Sequence, residues 1–181
     1  MKKSDAISIR YATPADVPTI HAMADVVFRK TYREILSPEQ IDYMMDWMYS
    51  IDSLKVQVAG EGKWFLLAEA REDGEQRKCG YASFETEGRT SDGRPLFHLQ
   101  KLYVMPEWQG CGLGEKLLNA VVDGIRSVAG GPARMELNVN RYNRAVSFYE
   151  KMGLKRDRQG DFEIGHGWYM NDYIYALDIL P

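Results

Sequence analysis

The sequence has few cysteines, few histidines and little net charge. Cys79 and Cys111 stand apart without a CxxC pair, so two free thiols in a reducing compartment are expected rather than a disulfide framework. The histidines at 21, 98 and 166 are not at zinc-ligand spacing. A formal net charge of −3 at pH 7 excludes the basic surface that nucleic-acid binding requires.

Long apolar runs are also missing. No uninterrupted run approaches the roughly 20 residues of a membrane helix, and residues 1–5 show no apolar signal region. We therefore expect a cytoplasmic protein that contacts no membrane. The length of 181 residues, with 45% hydrophobic and 27% charged residues, predicts one ordinary globular domain over residues 1–181.

Hydrophobic periodicity divides the chain into strands and helices. The pattern predicts strands at 7–11, 64–68, 80–84, 96–104, 134–139, 154–162 and 169–177, and helices at 14–29, from 37 onward, after 106, and at 143–151. The strands at 64–68 and 80–84 should form an antiparallel hairpin, and residues 86–94 should form a loop. Because strands and helices do not alternate strictly, a mixed sheet flanked by helices is expected, in an α/β or α+β arrangement.

The segment from Leu102 to Gly114 carries the clearest chemical signal. It reads as a buried strand, a proline-limited turn and three alternating glycines, Gly110, Gly112 and Gly114, at a helix start. Glycine lets main-chain amides approach a ligand closely, and the first amides of a helix have no internal partner. With the helix dipole, they predict a pyrophosphate site. The segment lacks the Gly-Lys-Ser/Thr ending of a nucleotide P-loop.

Two motifs resemble those of the GNAT acetyltransferases. Gln109, Gly112 and Gly114 fit the family's acetyl-coenzyme A motif, Gln/Arg-x-x-Gly-x-Gly/Ala after a strand. Residues 145–154, AVSFYEKMGL, resemble the Phe-Tyr-Glu-Lys-x-Gly-Phe signature. Residues 9–16 are similar to the family's first strand and helix, and residues 164–173 resemble the end of the bacterial spermidine/spermine acetyltransferase branch.

This resemblance implies a fold and a co-substrate. The fold is a mixed, mostly antiparallel sheet of about seven strands, flanked by helices and splayed between the fourth and fifth strands. The co-substrate is acetyl-coenzyme A. By similarity, the backbone of Leu102, Tyr103 and Val104 would pair with its pantetheine arm. The residues expected around the pyrophosphate are Gln109, Gly110, Cys111, Gly112, Leu113 and Gly114.

The asparagine of the family that touches the cofactor has no exact counterpart. It usually lies seven residues before the signature tyrosine, Tyr149, and Tyr142 occupies that position here. Asn143, one step nearer, is the first candidate, with Asn138 and Asn140 behind it. Each of the three could instead be an ordinary turn or strand-end asparagine.

The resemblance also implies catalytic roles. Tyr149 occupies the position of the general acid that protonates the departing thiolate; the alternative is a core tyrosine beside Phe148. Polyamine acetyltransferases of this superfamily use a glutamate on the long central strand, and Gln100 stands at the matching position, where it can bind substrate but cannot act as a base. Glu85, His98 or a water chain could remove the proton from the amine instead.

The reaction implied is direct attack of a primary amine on the thioester, with both substrates bound together. Tyr32, in the first helical pair, and residues 164–173 favour a small amine such as a polyamine. The alternatives are a protein N-terminus or lysine as the acceptor, and a non-catalytic acyl-coenzyme A sensor. A homodimer is also an expectation, because small proteins of this type often pair through their sheets.

Overall fold

The computed structural model describes residues 6–181, which form seven strands and five α-helices. The strands are β1 (Ile7–Tyr11), β2 (Lys63–Glu72), β3 (Glu75–Arg89), β4 (Pro95–Val104), β5 (Ala133–Asn140), β6 (Lys155–Gly165) and β7 (Trp168–Ile179). The helices are α1 (Val17–Tyr32), α2 (Pro38–Tyr49), α3 (Ile51–Ala59), α4 (Leu113–Ala129) and α5 (Ala145–Lys151). No helix in this part of the chain is both long and apolar enough to cross a membrane.

All seven strands belong to one sheet, in the order β1-β2-β3-β4-β5-β7-β6. Every neighbouring pair is antiparallel except β4 and β5, which are parallel. This arrangement confirms the expected mixed, mostly antiparallel sheet. The long antiparallel pairs β2–β3 and β6–β7 are joined by tight turns that carry Gly74 and Gly167, both with positive φ.

The sheet opens between its fourth and fifth strands. β4 and β5 pair only where Leu96–His98 lie beside Arg134–Glu136. Further along, β4 stays paired with β3 and β5 with β7, so the ends of β4 and β5 diverge. The splay is confirmed, and it leaves a gap in the middle of the sheet.

Helices cover both faces of this sheet. α4 has a strongly apolar face, and it packs on one side against strand residues such as Leu66, Phe84 and Met135. α1, α2 and α3 pack on the other side, against Phe65 and Leu67. The gap between β4 and β5 is therefore flanked by helical layers on both faces.

The chain near β1 is held by one arginine. Arg10 donates to both carboxylate oxygens of Asp16 at 2.9 Å and to those of Glu69 at 2.8 and 3.2 Å. These contacts tie β1 to β2 and to the turn that precedes α1. Hydrogen bonding from Arg10 holds the pKa of Asp16 below its usual range.

Some element boundaries differ from the sequence predictions. β3 continues to Arg89, so the first part of the predicted loop at 86–94 is strand; a bulge between Thr86 and Gly88, with Gly88 at φ 98°, explains why a glycine fits there. The first helix begins at Val17 after a short 3₁₀ turn. α3 was not predicted separately. It begins after Ser50, whose hydroxyl accepts the Ser53 main-chain N–H at 3.2 Å.

Candidate active site

A cleft of about 1100 Å³ occupies the gap between β4 and β5. Residues 99–104 of β4 and 137–139 of β5 form its sides. The glycine-containing turn before α4 lies at one end, and residues 30–35 at the end of α1 contribute a further wall. The cleft is therefore built by the splay of the sheet together with the end of α1, the start of α4 and residues of α5.

Most of the predicted site residues line this cleft. They are Tyr32, Gln100, Leu102, Tyr103, Val104, Gln109, Gly110, Gly112, Leu113, Gly114, Asn138, Asn143 and Tyr149. Cys111 does not line it; its thiol donates to the carbonyl oxygen of Trp108 at 2.9 Å and so packs within the turn. Glu85 lies in a neighbouring cavity. The fold thus brings together residues from four separate parts of the chain.

The glycine turn presents main-chain donors to the cleft. Gly110 and Gly112 have φ of 76° and 85°, and no atom lies within 4 Å of a Cβ built on either. Backbone hydrogen bonds run from Gln109 N to Pro106 O at 3.3 Å and from Lys116 N to Gly112 O at 3.2 Å. In the described part of the chain, the N–H groups between these two bonds have no backbone acceptor, and they lie at the positive end of α4.

The side chain of Gln109 anchors this turn. Its Nε2 donates to the carbonyl oxygen of Val104 at 3.0 Å, which ties the turn to the end of β4. The glutamine of the motif therefore has an evident structural role, which is to fix the distance between strand and turn. A direct contact between Gln109 and a cofactor stays a prediction.

The edge of β4 that faces the cleft is open. Leu102, Tyr103 and Val104 pair with β3 on their other edge, and β5 has already diverged at this point. In an antiparallel pair, successive residues direct their N–H and C=O groups toward opposite edges. The open edge can therefore accept an extended ligand in the manner of an added strand.

Charged residues around the cleft are mostly cationic. They are Lys30, Arg33, Lys101, Arg144 and Lys151, against the carboxylates of Glu34 and Glu115. A concave surface with excess positive charge attracts an anionic ligand. The lining thus suits a phosphate-bearing molecule.

Tyr149 of α5 presents a phenol to the cleft. Its side chain is only 7% exposed, and burial raises the pKa of its hydroxyl well above the usual value. The ring packs edge-on against Phe148, with ring centres 5.2 Å apart. No side chain in residues 6–181 hydrogen-bonds to the hydroxyl, which stays protonated at neutral pH and is available to donate to a ligand.

Tyr32 connects three elements around the cleft. It is the last residue of α1, and its ring centre lies 4.5 Å from that of Phe28. Tyr103 on β4 and Asn143 before α5 line the cleft with it. Burial, and to a smaller extent the charge of Asp172, raise the pKa of Tyr32.

The three candidate asparagines have different surroundings. Asn143 lines the cleft, but its Oδ1 accepts the N–H of Ala145, the first residue of α5, at 2.9 Å. Asn138 is exposed in the cleft, and its Nδ2 donates to Asp172 Oδ2 at 3.3 Å. Asn140 is buried and does not line the cleft. The first two thus remain candidates for a cofactor contact.

The candidate bases lie away from the main cleft. The Glu85 carboxylate accepts from Gln100 Nε2 at 2.8 Å and lies 3.6 Å from Lys63 Nζ, in a second cavity of about 280 Å³. Gln100 lines both this cavity and the main cleft. His98 lies 3.0 Å from a Glu87 oxygen and lines neither. Glu85 can therefore reach the main cleft only through an intervening group or water.

Two buried charges beside the cleft were not assigned a role from the sequence. Lys101 is 8% exposed and Asp172 is 6% exposed. Oδ1 of Asp172 has no hydrogen-bonding partner in residues 6–181, and burial raises the pKa of this carboxyl group. The sequence pattern indicates the burial of Asp172, because Asp172 alternates with Met170 and Ile174 on the inward face of β7.

Residues 164–173, which suggested the polyamine branch, pair within the sheet and contact α2 around the β6–β7 turn. The hydroxyl of Tyr43 donates to the carbonyl oxygen of Ile164 at 2.7 Å. Its ring centre lies 4.7 Å from His166 and 5.5 Å from Trp168. None of residues 164–173 lines the main cleft. This aromatic group fastens the β6–β7 turn to α2.

Comparisons with known sequences give a family match. The model of the acetyltransferase (GNAT) domain matches residues 61–156. Uncharacterized N-acetyltransferases of Mycobacterium tuberculosis and Mycobacterium bovis are each 28% identical over 166 residues, which covers 91% of this chain and 99% of theirs.

Solved structures agree with this match. The PaiA N-acetyltransferase of Thermoplasma acidophilum, solved in complex with coenzyme A, has a TM-score of 0.73 and 25% identity, over 94% of this chain and 97% of that one. The spermidine/spermine N-acetyltransferase SpeG of Vibrio cholerae, with a TM-score of 0.62 and 16% identity over 97% and 94% of the two chains, shows the fold alone. With the family model matching more than half of its residues, this chain belongs to the GNAT acetyltransferase family.

Proposed function

We propose that this protein binds acetyl-coenzyme A in the cleft between β4 and β5 and transfers the acetyl group to a primary amine. One observation carries the proposal: a single open groove connects the unpartnered amides of the glycine turn, the unpaired edge of β4 and the buried hydroxyl of Tyr149. Each part matches a different portion of one ligand, namely a diphosphate, an extended amide-containing arm and a thioester.

The residues present fit this co-substrate. The N–H groups from Gly110 to Gly114 hold the diphosphate, and the main chain of Leu102–Val104 pairs with the pantetheine arm. Asn138 or Asn143 adds a side-chain contact. The relative from Thermoplasma acidophilum, which was solved with coenzyme A, supports this assignment.

Two residues of the chain then transfer protons: one donates a proton to the sulfur and the other accepts a proton from the amine. Acetyl-coenzyme A supplies an activated acetyl group, and Tyr149 donates a proton to the sulfur as the carbon–sulfur bond breaks. The amine must be neutral to attack, although a primary amine is protonated at pH 7. Glu85 accepts that proton through water near Gln100, which donates to Glu85 and lines both cavities.

The acceptor is a small amine that reaches the thioester beside Tyr32 and Tyr149. A polyamine is the class that the sequence favours, and Gln100 and Tyr32 are its proposed contacts. A protein N-terminus or lysine is the competing acceptor. A cytoplasmic location, a homodimer and a single domain over residues 1–181 stay predictions.

Thiol release tests this function. Purified protein and acetyl-coenzyme A are incubated with a broad panel of amines that includes monoamines, polyamines and amino acids, and free coenzyme A is measured. We expect release with at least one small amine. If calorimetry detects binding of acetyl-coenzyme A but nothing is acetylated, either in the panel or in a proteome examined by mass spectrometry, the protein is a sensor. Acetylation of proteins alone would identify a protein acetyltransferase.

A further inference from the structure

A second cavity adjoins the main cleft. Its volume is about 280 Å³, and its lining includes polar groups from β3 and β4, apolar side chains such as Phe65 and Met48, and Gln57 of α3. Gln100 and Lys101 line both the second cavity and the main cleft. The two cavities therefore adjoin at these two side chains.

Lys101 is a buried cation to which the described part of the chain supplies no counter-ion. Its Nζ donates to Gln57 Oε1 at 2.7 Å and lies 5.4 and 5.5 Å from the ring centres of Tyr49 and Phe65. Within residues 6–181 it forms no ion pair. An ammonium group has three donors, and one neutral acceptor with two ring faces is poor compensation for burial.

The other charged groups of the cavity do not neutralise Lys101. Glu85 is the nearby carboxylate, but it is engaged by Lys63 at 3.6 Å and by Gln100 at 2.8 Å. Lys63, Lys101 and Glu85 are the charged groups in the lining, so the cavity has one positive charge in excess. A buried excess charge is costly unless a ligand supplies its partner.

Ser83 provides a second, independent observation. Its side chain is 3% exposed, and its Oγ has no hydrogen-bonding partner in residues 6–181. It lies opposite Lys101 in the β3–β4 register and lines the same cavity. A buried hydroxyl usually has a partner, so a missing one points to a ligand or water at this place.

We propose that Lys101 and Ser83 bind a carboxylate carried by the acceptor, so that the protein acetylates small amino carboxylates in preference to polyamines. This inference rests on the proposed acetyl transfer to a primary amine, and it replaces the polyamine that the sequence favours by an amino carboxylate as the acceptor class. A carboxylate accepts from both the ammonium and the hydroxyl, and it neutralises the excess charge of the cavity. The second ammonium of a polyamine would be repelled by Lys101.

Matched acceptors test the inference. The series consists of ω-amino carboxylates of increasing length, together with the monoamine and the diamine of each length, measured as coenzyme A release. We expect kcat/KM for the best amino carboxylate to exceed that for its monoamine and its diamine by roughly tenfold or more, which is the effect of one good charge-assisted contact.

Two variants assign this preference to the residues. Lys101→Met should lower kcat/KM for the amino carboxylate by roughly tenfold more than for the monoamine of equal length. Ser83→Ala should lower it selectively by a few-fold, without changing any charge. Lys55→Met, which removes an exposed lysine of α3 outside both cavities, should retain the wild-type preference.

The outcomes separate this inference from the function on which it rests. The carboxylate site is wrong, and the proposed function stands, if amines are acetylated but diamines or monoamines are preferred. The same holds if Lys101→Met lowers kcat/KM equally for all acceptors. A fall in coenzyme A affinity that accounts for the whole loss would make the cofactor the partner of Lys101 and would also overturn the inference. If no amine releases thiol, the proposed function itself fails.

Discussion

Replacing Lys101 by methionine should make the protein more stable. The ammonium group is almost fully buried and forms no ion pair with residues 6–181, and burial lowers its pKa from the ordinary 10.5 to about 8. Methionine has a similar length and shape and needs no counter-charge. The substitution therefore removes an electrostatic penalty while it preserves packing against Tyr49 and Phe65.

The size of the effect follows from the pKa. A shift from 10.5 to about 8 corresponds to a penalty of about 3 kcal/mol on the charged form. The variant loses the hydrogen bond to Gln57 and the ring contacts, which together contribute about 1–2 kcal/mol. The net gain in the free energy of unfolding at pH 7 should be about 1–2 kcal/mol, or roughly 2–8 °C in Tm for a chain of this size.

The gain should depend on pH in one direction. Below about pH 8 the ammonium is charged in both states, so the folded wild type carries the full penalty. As the pH rises from about 8 toward 10.5, the folded state loses its proton before the unfolded state does, and wild-type stability rises. Burial raises the pKa of neighbouring Tyr49 well above its usual value, so this phenol does not titrate in the same window.

Urea unfolding of wild type, Lys101→Met and Lys55→Met at several pH values measures this effect. Lys55 is exposed in α3, and its distant ion pair with Asp52 should contribute less than about 0.5 kcal/mol at any pH. The reasoning is refuted if Lys101→Met is destabilised at pH 7, or if its advantage persists unchanged above pH 10.

Three further predictions concern the cofactor site, catalysis and acid stability. Gly112→Glu should abolish coenzyme A binding in calorimetry, whereas Gly130→Glu, at the other end of α4 with φ 65° and equally open surroundings, should retain it. Tyr149→Phe should lower kcat by roughly 10²-fold or more with a smaller change in KM; equal activity would remove its role as the acid. Asp16→Asn should cost about 2 kcal/mol at pH 7 through its contacts with Arg10. Because the folded pKa of Asp16 is lowered, this difference in urea unfolding should begin to shrink as the pH falls below about 4 and should continue to shrink toward the folded pKa, and a constant difference would contradict it.

Local sequence was sufficient to predict the glycine turn and α4. Turn residues, helix start and apolar face are all encoded within residues 106–129, so periodicity and glycine spacing identify them. The gap between β4 and β5 has no such local code, because it depends on where two distant strands stop pairing. Only the resemblance to a family predicted it.

The acceptor side of the site was predicted less well. A bulge in β4 pairs Ser83 with Lys101 and Phe84 with Leu99, so no residue of β3 lies opposite Gln100 in the strand pairing. Such a bulge changes which side chains face a cavity, and alternation along the strand cannot predict it. The burial of Lys101 likewise depends on its packing under α2 and α3, and no local pattern encodes this tertiary contact.

A crystal structure of the protein with acetyl-coenzyme A tests the central claim most directly. The account predicts the diphosphate within hydrogen-bonding distance of main-chain nitrogens between Gly110 and Gly114, and the thioester sulfur within reach of the Tyr149 hydroxyl. Density for the ligand outside the β4–β5 cleft, or a thioester remote from Tyr149, would contradict it.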